Sequence, residues 1–115
     1  MHEISLVDAL FDQVDAAVRP HPGAVLCLVR VRIGALAGVE PELFRTAFEG
    51  LREPRHHGRA ELELTAEPAE WHCATCDLAG AAGEPLRCPT CGGALALRRG
   101  DGIYLDHLEL EVSDV

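Results

Sequence analysis

The apolar positions of this chain change period along its length. In "HEISLVDALFDQVDAAV", Leu6, Val7, Leu10, Phe11, Val14 and Val18 recur at helical spacing, while Glu3, Ser5, Asp8, Asp12 and Asp15 fall mostly on the other side. The spacing predicts a helix over 3–18, its acids gathered toward the end where the macrodipole favours them. Pro20 and Pro22 of "RPHPG" stop it. Period two follows in "AVLCLVRVRIG": Val25, Cys27, Val29, Val31 and Ile33 share one face, and Leu26, Leu28, Arg30 and Arg32 the other. In "VEPELFRTAFEGLREP" the period is helical again. Phe44, Ala47, Phe48 and Leu51 form its buried stripe, Pro41 suits the first turn, and Pro54 marks the stop. "RAELELTAE" alternates strictly, which predicts Ala60, Leu62, Leu64 and Ala66 inward and Glu61, Glu63 and Glu67 outward.

The last strand, "GIYLDHLELEV", breaks its own rule. Ile103 and Leu105 share one parity, but Leu108, Leu110 and Val112 share the other. A straight strand cannot bury both sets, so a bulge or bend is predicted at Asp106–His107. Charge orders the strands. Arg30 and Arg32 pair favourably beside Glu61 and Glu63, or beside Glu109 and Glu111, which puts the first strand between two acidic ones. The fold class is therefore α+β: a three-stranded sheet with two helices on one face. That α/β domain takes residues 1–67 and 101–115. Residues 68–100 form a small inserted domain with almost no periodic apolar pattern, and it needs another source of stability.

That source is legible in "WHCATCDLAGAAGEPLRCPTCGGAL". Cys73 and Cys76 form one CxxC, and Cys88 and Cys91 another. Each pair sets two thiolates on a tight knuckle, and Pro89 with Gly92 and Gly93 helps the second to turn. Four thiolates in tetrahedral array satisfy Zn2+ with no open position, the structural kind of site, and metal binding then supplies folding free energy. A disulfide pair and a rubredoxin-like iron site are the competing readings of the same spacing. His72 reads as a surface residue or one that supports the ligands, and Cys27 as a buried core cysteine. His56 and His57 in "RHHG" read as a solvated loop, and His21 and His107 as structural or surface residues.

Composition narrows function. Among 115 residues the net charge is −9, and all ten basic residues are arginine. Such a balance argues against a nucleic-acid phosphate backbone. The insert carries only Arg87, Arg98 and Arg99 against Glu70, Asp77 and Glu84, with Asp101 next to its end and Trp71 its one aromatic, so a zinc-ribbon binding module for nucleic acid or protein is the weaker reading. No apolar run approaches the ~20 residues of a membrane span, and no signal peptide is visible, so the expected location is cytoplasmic. There is no Walker sequence, neither Ser5 nor Ser113 sits in a nucleophile elbow, and a closed four-cysteine site offers no activated water. An enzyme is not expected.

"MHEIS" at the start, two CxxC pairs after an acidic strand and the closing "GIYLDHLELEV" together resemble the HypA family of hydrogenase nickel-incorporation proteins, over essentially the whole chain. The resemblance implies a nickel metallochaperone with an N-terminal Ni2+ site and a separate structural zinc domain. It implies as partners a companion GTPase (HypB-like) and the large subunit of [NiFe]-hydrogenase, with no nucleic acid and no membrane. It places nickel on His2, with Glu3 the acid beside it, and zinc on Cys73, Cys76, Cys88 and Cys91. The chain departs from the family pattern at Asp77 and Gly93, where glycine and serine are often found, and in the adjacent His56 and His57, which leave room for an accessory metal contact.

The residues themselves supply a chemistry for "MHE". Histidine at the second position disfavours removal of Met1, so a free α-amine with a pKa near ~7.7 is expected beside the His2 imidazole. With the backbone amides of His2 and Glu3 these make four nitrogens that can lie in one plane, which suits Ni(II) or Cu(II) over tetrahedral zinc. Glu3 can orient the imidazole. The same three residues also fit a frayed helix end. The whole-chain resemblance is what favours nickel.

Overall fold

The computed structural model describes residues 2–80 and 87–112. Its elements run α1 (His2–Val18), β1 (Val25–Gly34), α2 (Pro41–Leu51), β2 (Glu61–Glu67), β3 (Glu70–Cys73), β4 (Leu78–Gly80), β5 (Ala96–Arg99) and β6 (Ile103–Glu111). They form two compact units. The first holds α1, α2 and most of a three-stranded sheet, and the second comprises Ile33–Gly38 and Ala66–Ile103.

In the first unit the strand order is β2-β1-β6, with the arginine-bearing strand in the middle as its charges require. Arg30 Nε donates to Glu63 on one side at 2.7 Å, and Arg32 Nη2 to Asp106 on the other at 3.3 Å. Arg32 also lies over the Tyr104 ring, 4.6 Å from its centroid. Contacts between β1 and β2 advance together, Arg30 with Glu63 and then Ala35 with Glu67, so these strands run parallel around the α2 crossover. Contacts between β1 and β6 run in opposite senses, Cys27 with Glu111 and Arg32 with Asp106, as in antiparallel strands.

The core between helices and sheet is built from Val7, Leu10, Phe11 and Val14 of α1, Phe44, Ala47 and Phe48 of α2, and Leu26, Val29, Val31 and Leu62 of the sheet, all buried. Phe11 and Phe48 stack at 5.1 Å between centroids and 17° between planes. Each helix thus buries the centre of the stripe its sequence period defines; Leu6, Val18 and Leu51 at the margins are half-buried, and Glu3, expected on the polar side, is buried.

Three expectations about faces change. On β1 the buried residues are Leu26 and then Val29, Val31 and Ile33, so the alternation slips by one at Cys27–Leu28, and Cys27 is only half-buried. On β2, Ala66 is exposed and Glu67 buried, the reverse of simple alternation. The chain enters the second unit at that point, where the Glu67 carboxylate accepts the Gly100 N–H at 3.1 Å and the Glu67 carbonyl accepts the Ala35 N–H at 2.8 Å. A carboxylate with such a donor can be buried without an apolar partner. His57 is not solvated: its ring stacks on Phe11, and its Nε2 lies 2.6 Å from Asp15 Oδ1. The predicted irregularity in β6 is present as a parity change, with Asp106 and His107 exposed in succession inside one continuous strand.

The second unit contains a sheet that periodicity did not reveal, in the order β4-β3-β5. Both pairings are antiparallel, Cys73 opposite Leu78 and Trp71 opposite Leu97. The unit is drawn tight where two glycines meet. A Cβ on Gly34 would stand 2.3 Å from the Gly100 carbonyl carbon, and one on Gly100 would stand 2.6 Å from the Ala69 Cα. Only glycine permits that approach.

Candidate metal centre

Cys73 ends β3, and the turn after it returns the chain into β4. The Asp77 N–H closes that turn on the Cys73 carbonyl at 2.8 Å, and Asp77 itself takes a positive φ of 54°. His72 Nε2 lies 2.6 Å from the Asp77 carboxylate and lowers its pKa from the ordinary carboxylate value. The second knuckle is a small hairpin. An Arg87–Ala94 bridge brackets it, the Cys88 N–H reaches the Gly93 carbonyl at 2.7 Å, and the Gly92 N–H reaches the Cys88 carbonyl at 2.8 Å.

The two turns bring Cys73, Cys76, Cys88 and Cys91 together, with all four sulfurs within 4.8 Å of one another. Backbone N–H groups of Cys76, Thr90 and Gly93 each point at a sulfur at 3.4 Å, on Cys73, Cys88 and Cys91 respectively. Such donors favour the thiolate form. All five cysteines are free, and the Sγ atoms of Cys73 and Cys91 are 3.6 Å apart, so the disulfide reading of the spacing is not what the chain adopts.

Packed thiols divide their protons unequally. Backbone N–H groups of Cys91 and Thr90 lower the Cys88 thiol to about 6, whereas the hydrogen bond with Cys91, then burial, pushes the Cys76 thiol up to about 12. A cation at the centre removes this conflict by stabilising every thiolate at once. The donor set is all sulfur and closed, as a structural tetrahedral ion requires. No histidine joins it among the described residues, so His72 stands beside the cluster rather than in it.

The other candidate residues lie in the first unit. His2 opens α1 with its side chain 61 % exposed, and its Nδ1 is 3.7 Å from Glu3 Oε2. Met1 lies outside the described residues. Glu3 is buried, and its carboxyl is held below the ordinary carboxylate range. Its own backbone N–H is the main cause, burial opposes the shift, and the Glu40 backbone N–H and His2 assist it. Glu40 immediately precedes α2, so the field of that helix start reaches the Glu3 carboxylate. The sequence marks Glu40 only as an acid at the start of a helix; here it acts through its backbone. His56 is exposed and His57 is engaged with Asp15, and neither joins a metal-capable cluster among the described residues.

Known proteins resemble the chain over nearly its whole length. The family described as hydrogenase/urease nickel incorporation, metallochaperone, hypA matches residues 1–110. A hydrogenase maturation factor HypA from Aquifex aeolicus is 33 % identical over 114 residues, covering 97 % of this chain and 99 % of the relative. Another from Shewanella oneidensis is 30 % identical over 116 residues, covering 99 % and 98 %. Among solved structures, a solution structure of a HypA protein superposes with a TM-score of 0.80 at 25 % identity, covering 98 % of each chain. The Ni metallochaperone HypA from Helicobacter pylori shares the fold, with a TM-score of 0.73 at 23 % identity and coverage of 96 % and 98 %. No helix among the described residues is long and apolar enough to cross a membrane. With the fold, the four-sulfur cluster and this whole-length match in hand, the chain belongs to the HypA family of nickel metallochaperones that serve hydrogenase maturation.

Proposed function

We propose that this protein carries Ni2+ as cargo at its N-terminus and hands it on during [NiFe]-hydrogenase maturation, while a Zn2+ ion on Cys73, Cys76, Cys88 and Cys91 organises the second unit. The observation that carries the reading is the pairing of an exposed His2 with an anchored Glu3 in a chain of this family. The nickel ligands are the Met1 α-amine, the His2 imidazole and the backbone amides of His2 and Glu3. The first N–H groups of a helix have no carbonyl partner within it, so metallating these amides breaks no helical hydrogen bond and costs only the contact between the Glu3 N–H and its own carboxylate. The helix dipole opposes a cation there, and the Glu3 carboxylate beside His2 offsets it. Moderate, pH-dependent affinity suits cargo that must be released.

The domain of residues 1–67 and 101–115 is thus the nickel-binding one, and 68–100 the zinc-binding one. When bound, zinc supplies a structural crosslink between the two knuckles. The working partners are a nickel-handling GTPase and the hydrogenase large subunit, in the cytoplasm. The test is a nickel titration with simultaneous zinc analysis. One zinc should survive purification, and one nickel should bind with a planar-nitrogen absorption spectrum. His2→Ala should abolish the nickel signal and leave zinc in place, and unchanged nickel binding in that variant would sink the assignment.

A further inference from the structure

The four sulfur ligands differ in access. Cys73 and Cys88 are buried, Cys76 is half-buried, and Cys91 is exposed. A closed structural site needs its sulfurs only to hold the ion. Nothing in that role calls for one of them to face solvent.

The residues after Cys91 keep its sulfur open. Gly92 has a positive φ of 72°, so its backbone requires glycine. Gly93 has no such φ, so its backbone does not. A Cβ placed on Gly93 would stand 3.2 Å from the Cys91 sulfur and meet nothing else within 4 Å. Any other residue would set a carbon against that sulfur, and glycine leaves the flank bare. The first knuckle carries Leu78 at the matching place.

A second thiol is within reach. The Cys73 sulfur lies 3.6 Å from that of Cys91, across the two knuckles. An accessible thiol beside a resolving one is the arrangement of an oxidation site. Reactive cysteines also stand next to positive charge. Arg87 supplies it: its guanidinium donates to the carbonyl of Gly92, the residue after Cys91, at 3.3 Å. Cys27 is the contrast. Its sulfur has the Val25 carbonyl at 3.5 Å and the Glu111 carboxylate at 4.0 Å, and it lies outside the cluster.

We infer that Cys91 is a site of oxidation by peroxide, and that a disulfide between Cys91 and Cys73 is the form in which the second unit gives up its metal. This builds on the structural-zinc reading and adds to it a condition for release. The Cys91 thiolate attacks one oxygen of hydrogen peroxide. The O–O bond breaks, the sulfur becomes a sulfenic acid, and hydroxide leaves to take a proton. The Cys73 thiolate then attacks the Cys91 sulfur. The S–O bond breaks, and a second hydroxide leaves to take a proton. Two thiolates, one peroxide and two protons thus give one disulfide and two waters. Cys76 and Cys88 alone cannot close a tetrahedral site, so the ion departs. A thiol reductant reverses the change by exchange.

Hydrogen peroxide added to the full-length protein, after metal analysis, tests it. A chromogenic chelator follows zinc release, and tandem mass spectrometry places the crosslink. One zinc should appear per disulfide formed, the crosslink should join Cys73 to Cys91, and Cys27 should stay reduced. Dimedone, which traps sulfenic acids, should label Cys91 when added with the peroxide. Gly93→Ala and Gly93→Ser should hold their zinc, yet release it severalfold more slowly under peroxide. Dithiothreitol with added zinc should restore the starting metal content. The assignment is overturned, with the zinc reading intact, by zinc that stays bound under excess peroxide or by a crosslink within one knuckle. Dimedone on Cys76 or Cys27 before Cys91 overturns it too, as does release from both Gly93 variants at the wild-type rate. If metal analysis before oxidation finds no zinc, the structural-zinc reading itself fails.

Discussion

Replacing Cys88 with serine should unfold the second unit and leave the first folded. Among the described residues, the buried hydrophobic side chains of the second unit are Ile33, Ala69, Cys73 and Cys88. Ile33 contributes ~1.5–3 kcal/mol of transfer free energy and Ala69 under ~1. Ordering the residues of β3, β4 and β5 costs ~1–2 kcal/mol each, roughly ten to twenty in total. Structural zinc contributes ~10–16 kcal/mol in small zinc domains at neutral pH, which brings the balance near zero from below. Loss of one thiolate removes most of that term. The first unit keeps the cluster of Phe11, Phe44, Phe48, Leu26, Val29 and Val31, none of which needs metal. Amide NMR spectra of the wild type, the Cys88→Ser variant and chelator-treated wild type provide the assay. Signals from 68–100 should collapse to unfolded positions in both perturbed samples, while helical circular dichroism from α1 and α2 persists. Zinc uptake should also release protons, because Cys76 stays protonated up to about 12 in the metal-free cluster. Affinity should therefore fall on acidification. A metal-free sample that retains dispersed, protected signals across 68–100 would refute the argument that metal substitutes for core.

Two further outcomes follow from single groups. Glu3 titrates below its ordinary 4.5 in the fold, so its contribution to stability is complete above that value and disappears as pH falls through the lowered one. Carboxyl NMR should show that low midpoint, and Glu3→Gln should flatten the acid limb of the stability curve. Gly34→Ala drives a Cβ into backbone of Gly100, which cannot swing aside as a side chain can, so the variant should lose ~1–3 kcal/mol or more and shed zinc at lower chelator concentration than wild type.

What the sequence revealed depended on range. The helices and the CxxC knuckles are local patterns: Phe44 and Phe48 are buried as their spacing predicts, and Cys73 and Cys91 meet in the four-sulfur cluster that theirs predicts. The strand order was legible because Arg30 and Arg32 need acids on both sides. Alternation failed at Glu67 because it assumes one environment along a whole strand, and β2 changes units at its end. His57 was misread because its partners, Phe11 and Asp15, lie more than forty positions earlier in the chain. The sheet β4-β3-β5 left no apolar signature, since its residues are arranged around sulfur rather than around a hydrophobic face.

The fastening of α1 has a geometric consequence. At its start, the buried Glu3 carboxylate is stabilised by the Glu40 N–H, just before α2. Farther along, Asp8, Asp12 and Asp15 all engage Arg55, at 3.2, 2.7 and 3.1 Å, and Asp15 also engages His57, just after α2. Both ends of one helix are thus referenced to both ends of the other, over ~18 Å of axis at 1.5 Å per residue. Sliding α1 along its axis or rotating it would disturb the Arg55 and His57 contacts at one end and the Glu3 environment at the other. His2 is therefore presented at a fixed height and a fixed angle. A residue that looks like a loose tip is instead the end of a calibrated rod, and mutations at Arg55, far along the chain, should alter where the imidazole stands.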